Sequence, residues 1–97
     1  MKEYERLITN IPKSEKGPLM CGLKLSEEVG EVNQLVSRHE FKGQPLDREH
    51  LIEEMGDVLY FLVNLGNQYG ISLTEIIEAN KKKALVRAPN SPYAKLK

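Results

Sequence analysis

The chain has 97 residues, with 14 Lys or Arg against 14 Asp or Glu, so its formal net charge is zero. That length suits one domain, and a domain of this size buries roughly 60–65% of its unfolded surface, so support from a partner chain is expected. Balanced charge argues against general nucleic-acid binding, which calls for a basic excess. The acidic residues nevertheless cluster in the middle of the chain, and the last quarter is basic. The single cysteine, Cys21, excludes an internal disulfide; beside Leu19, Met20 and Leu23 it is expected to be a small buried hydrophobe. The N-terminal MKEYERLITN is mostly polar, so no secretory signal is expected. The most apolar stretch, Val58–Leu65, is broken by Tyr60 and Asn64 and is too short to cross a bilayer. A soluble, cytoplasmic protein is expected, with one domain over residues 1–97 and a core at about 18–88.

The pattern predicts four helices. The first covers about Glu3 to Thr9 and ends before Pro12; the loop KSEKG follows. The second begins near Pro18, a residue suited to a first helical turn, and stops near Glu40, before Gly43 and Pro45. The third starts after Asp47, a good N-cap, and runs to Tyr69, before Gly70. The fourth opens on the capping-box pattern Ser72-Leu-Thr-Glu75 and ends near Arg87, since Pro89 and Pro92 cannot continue it. Residues 89–97 read as an irregular tail, and no segment alternates with the two-residue period of a half-buried strand. An all-α, four-helix bundle-like fold follows, with short loops making successive helices antiparallel neighbours.

Residues 27–32, Glu-Glu-Val-Gly-Glu-Val, are echoed by residues 53–58, Glu-Glu-Met-Gly-Asp-Val. On antiparallel helices these blocks come face to face. Gly30 and Gly56 cost about 1 kcal/mol each in a helix interior, and a close helix–helix approach is expected to explain them. At about 100° per residue, Glu54 points into the apolar face formed by Leu51, Val58, Phe61 and Leu65, and Asp57 stands at its edge. Glu53 falls on the polar side with Tyr60, Asn64 and Asn67. In the second helix Glu28 sits among Leu25, Val32 and Leu35, Glu31 stands at the edge, and Glu27 lies further round towards Arg38.

Buried unpaired carboxylates are too costly to stay charged, and several together raise one another's pKa. Lys24, Arg38 and His39 are not placed to compensate them all, whereas one divalent cation is. Oxygen-only ligation favours Mg²⁺, Mn²⁺ or Ca²⁺ over zinc or copper, and Mg²⁺ commonly shares its shell with substrate phosphates. A di-iron bundle calls for Glu-x-x-His on two helices, and neither His39 nor His50 stands three residues after a glutamate. On the fourth helix Asn80, Lys83 and Arg87 share a stripe with Leu73, Ile76 and Ala84, so the stripe is expected to face at least partly inward. Inward Lys and Arg near a metal suit polyphosphate; the competing role is to complement the helix dipole.

Glu27-Glu28-x-x-Glu31, 22 further residues, then Glu54-x-x-Asp57 resembles the signature of MazG-like nucleotide pyrophosphohydrolases, within the all-α nucleoside triphosphate pyrophosphohydrolase superfamily. Val-Leu-Tyr-Phe-Leu after the second block and Gly-Ile-Ser before the fourth helix add to the likeness, which covers about residues 20–87. The resemblance implies a four-helix core and a Mg²⁺ site at Glu28, Glu31, Glu54 and Asp57, with Mn²⁺ as a substitute ion. It implies Glu27 as an accessory acid, with Glu27 or Glu31 ordering the attacking water. Asn80, Lys83 and Arg87 match substrate-binding positions. The implied reaction cleaves an NTP or dNTP between the α and β phosphates, giving monophosphate and pyrophosphate, in a homodimer or a tetramer built from dimers. A dimer also fits the further apolar arc of the third helix: Ile52, Met55, Leu59, Leu62 and Val63. Phe41, Phe61, Tyr60 and Tyr93 are the aromatic candidates for contact with a base. Competing readings are a phosphoribosyl-ATP pyrophosphohydrolase, a non-catalytic helical module that binds a nucleotide or a basic partner, and a structural dimer stabilised by a cation.

Overall fold

A computed structural model describes residues 2–88. It contains α1 (Lys2–Ile8), α2 (Gly17–Lys42), α3 (Arg48–Gln68) and α4 (Leu73–Arg87), with no strand among the described residues. The tail expected at residues 89–97, with Tyr93, lies outside the described residues. The punctuation marks act as the sequence implies. Pro18 sits in the first turn of α2, and Gly43 ends that helix at φ 67°, its N–H donating to the Arg38 carbonyl. The Asp47 carboxylate accepts from the His50 backbone N–H at 3.1 Å and caps α3. Both bonds of the Ser72–Glu75 capping box are formed at α4.

α2 and α3 form an antiparallel hairpin that carries the acidic residues. At one end the loop 43–47 joins them; at the other, Gln68 lies over Gly17, where an added Cβ would fall 2.0 Å from its Oε1. Cys21 is fully buried on this hairpin, as expected, and burial pushes its thiol up.

The segment after α1 corrects one expectation. Asn64, placed on the polar side of α3 by its helical angle, is fully buried. Chain 8–14 lies over that side of the helix. Asn64 Oδ1 accepts from Ile11 N at 3.1 Å, and its Nδ2 donates to the carbonyls of Ile8 and Tyr60, each at 2.9 Å. One turn on, Gln68 Nε2 donates to the carbonyls of Ile11 and Pro12. The Tyr60 hydroxyl donates to Asn10. Residues 60, 64 and 68 thus form a polar row: Asn64 and Gln68 satisfy backbone groups of the segment after α1, and Tyr60 holds the Asn10 side chain.

Two further expectations change. A Cβ at Gly30 or Gly56 would meet nothing within 4 Å, so these glycines do not mark the contact between α2 and α3. The echoed blocks meet through their carboxylates instead. In α4 only the start is anchored: Leu73 is buried, and its N–H donates to Glu5 Oε2 at 2.8 Å. Ile76 is half-buried, but Asn80, Lys83, Ala84 and Arg87 are exposed, so their stripe does not face inward within one chain. α4 leaves the hairpin rather than closing a bundle against it. On α3, Val63 is buried while Ile52, Met55 and Leu59 remain 53%, 55% and 37% exposed. These three positions share one stripe by their spacing. No described helix is long and apolar enough to cross a membrane.

Candidate metal centre

The register of the hairpin gathers four acidic side chains. Glu28 and Glu31 from α2 meet Glu54 and Asp57 from α3. One oxygen each from Glu28, Glu54 and Asp57 lies within 4.8 Å of the other two. Glu31 adjoins this trio through Glu28 and Glu54. Glu28 and Glu54 are half-buried and Asp57 is exposed, in keeping with their core and edge positions, but Glu31, expected at the edge, is half-buried as well. The apolar walls are the expected ones: Leu25, Val32 and Leu35 beside Glu28, and Leu51, Val58, Phe61 and Leu65 beside Glu54, all half-buried.

Burial and mutual proximity shift the proton affinities of these carboxyls. Loss of surrounding water, then the neighbouring Glu54 and Glu31 carboxyls, push Glu28 up to about 7. Glu54 is also raised, chiefly by Glu31 and by burial, against lowering contributions from Glu28 and, less, His50. Glu31 is held below the usual range by the neighbouring Glu54 and Glu28 carboxyls, with His50 and Lys24 adding positive charge nearby. Even so, Glu28 Oε2 and Glu54 Oε2 are buried with no hydrogen-bond partner. Two orphaned oxygens on facing helices leave a specific need that a cation meets. Oxygen-only donors, with Asp57 open to solvent, fit a hard divalent ion that keeps waters or phosphate oxygens in its shell.

The remaining site candidates lie elsewhere. Glu27 is exposed and paired with Lys24 at 3.4 Å, beside the cluster rather than in it. Glu53 is exposed, as expected of a solvated acid. Asn80 and Lys83 line a shallow groove with Ile71, Glu75, Ile76 and Ala79, and no carboxylate of the cluster borders it. Tyr60 and Phe61 pack edge to face at 4.9 Å, and Phe41 is almost wholly exposed. One contact was not anticipated: His50 Nε2 lies 3.2 Å from Glu54 Oε1. Its signal was available, since His50 stands four residues before Glu54 and so on the same helical face.

Comparison with known proteins bears on this centre. Two Bacillus subtilis (strain 168) proteins of uncharacterized function are similar. YvdC is 34% identical over 83 residues, covering 76% of this chain and 78% of the relative. YpjD is 36% identical over 77 residues, covering 75% and 68%. No solved structure gives a significant match. The model of the MazG nucleotide pyrophosphohydrolase domain matches residues 16–91, a span that includes α2, α3, α4 and every carboxylate of the cluster. With the acidic hairpin and its spacing in place, the chain belongs to the MazG nucleotide pyrophosphohydrolase family.

Proposed function

We propose that the chain is a Mg²⁺-dependent pyrophosphohydrolase that cleaves a nucleoside or deoxynucleoside triphosphate between its α and β phosphates. The observation that carries this reading is the pair of buried, unpartnered oxygens on Glu28 and Glu54, one from each helix of the hairpin. Glu28, Glu31, Glu54 and Asp57 would hold the ion, with Mn²⁺ able to replace it. When bound, the ion supplies electrostatic stabilisation of the charge on the phosphates. Glu31, held in its ionised form, or Glu27 beside it, accepts a hydrogen bond from the attacking water and takes its proton as the water oxygen bonds to the α phosphorus. The bond from the α phosphorus to the bridging oxygen breaks, and pyrophosphate leaves with the electron pair.

Asn80, Lys83 and Arg87 bind the β and γ phosphate oxygens in this proposal. They stand exposed on the part of α4 that leaves the hairpin. The bare stripe of Ile52, Met55 and Leu59 is covered by a second copy of the chain, giving a homodimer or a tetramer of two dimers. The protein acts in the cytoplasm on free nucleotides, without nucleic acid or membrane. Glu54→Gln tests the assignment: the variant should fold and lose Mg²⁺-dependent pyrophosphate release. Wild-type turnover in that variant would sink the metal assignment.

A further inference from the structure

Among the described residues, His50 is the one histidine that touches the acidic cluster, and it does so asymmetrically. Its Nε2 lies 3.2 Å from Glu54 Oε1, while Glu54 Oε2 is buried and unpartnered. The Glu54 side chain is 14% exposed and that of His50 is 48% exposed, so the imidazole sits on the solvent side of the carboxylate. With a cation bound Glu54 is ionised and only accepts hydrogen bonds, so Nε2 then carries the hydrogen. The backbone of His50 is itself fixed, because its N–H donates to the Asp47 cap at 3.1 Å. The first turn of α3 therefore fixes the backbone from which the imidazole reaches one oxygen of Glu54.

We propose that His50 is a positioning residue: its Nε2–H holds Glu54 Oε1 and thereby turns Oε2 towards the cation. The inference rests on the metal reading given above. A metal-binding carboxylate held by a hydrogen bond through its other oxygen loses less rotamer freedom when the ion binds, and losing such a partner typically costs about 10–100-fold in metal affinity. Nδ1 of His50 is not needed for this role, so an amide that reaches the same place can replace the ring.

The test is calorimetric titration of Mn²⁺ into the full-length, metal-stripped protein, with the melting temperature of each stripped variant as a fold control. Three proteins are compared: wild type, His50→Ala and His50→Gln. Expected are a rise of about tenfold or more in the Mn²⁺ dissociation constant for His50→Ala and recovery of most of that loss in His50→Gln, whose amide N–H stands in for Nε2–H. Lost affinity in His50→Ala together with a lowered apo melting temperature still supports the inference if His50→Gln recovers binding. Unchanged affinity in His50→Ala overturns the role of His50 and leaves the metal site intact. Equal weakening in both variants also overturns it, because Nε2–H donation is then not what matters. Absence of Mn²⁺ binding by the wild type overturns the metal reading itself.

Discussion

Lowering the pH from about 8 to about 6 should weaken Mg²⁺ or Mn²⁺ binding about tenfold. The Glu28 carboxyl, with its neighbours, holds a proton up to about pH 7, and a carboxylate must be ionised to take a metal. Near pH 8 roughly nine sites in ten are free of that proton, and near pH 6 roughly one in ten, so each further unit of acid costs about a decade, or about 1.4 kcal/mol. Calorimetric titration with Mn²⁺ in buffers of differing ionisation enthalpy measures both the affinity and the protons released, about one per ion near pH 6 and almost none near pH 8. The stripped protein carries the opposite sign. Because folding raises Glu28 from 4.5 to about 7, the folded chain binds more protons than the unfolded one in that window. Its stability therefore falls as pH rises from about 4.5 to 7 and levels off above. EDTA-treated protein should melt lower near pH 8 than near pH 5.5, and Mg²⁺ should reverse the loss near pH 8. Equal affinity near pH 6 and pH 8 with no proton release would refute the reasoning.

Asn64→Ala should cost about 2–4 kcal/mol, because it empties a fully buried position and strands the Ile11 N–H. For a chain of this length that lowers the melting temperature by at least about 10 °C, and a change of a degree or two would contradict the role given to the polar row. Met55→Asp places a charge in the bare stripe of α3 and should convert the proposed oligomer to monomer in sedimentation velocity; a monomeric wild type would remove the dimer from the account.

Most of the fold is local chemistry, and so it is legible in the sequence. Pro18, Gly43, Asp47 and the Ser72–Glu75 box each fix a helix end through bonds spanning a few residues, and all act where they stand. Glu28 and Glu54 were legible for a similar reason: a carboxylate amid apolar neighbours at helical spacing declares its own cost. Asn64 was not, because its burial is decided by the path of residues 8–14, more than fifty positions away in sequence. Gly30 and Gly56 misled because a small residue invites close packing, yet a Cβ at either would meet nothing, and the echoed blocks meet through their carboxylates. The outward course of α4 was hidden as well. Its stripe mixes Leu73, Ile76 and Ala84 with Asn80, Lys83 and Arg87, and periodicity gives a face without saying which chain covers it.

The most direct test of the central claim is release of pyrophosphate from a panel of NTPs and dNTPs, measured with Mg²⁺ and again with EDTA. The account predicts pyrophosphate and the matching monophosphate in equal amounts from at least one nucleotide, abolished by EDTA and restored by Mg²⁺. No release from any nucleotide in the presence of Mg²⁺, or release that EDTA leaves unchanged, would contradict it.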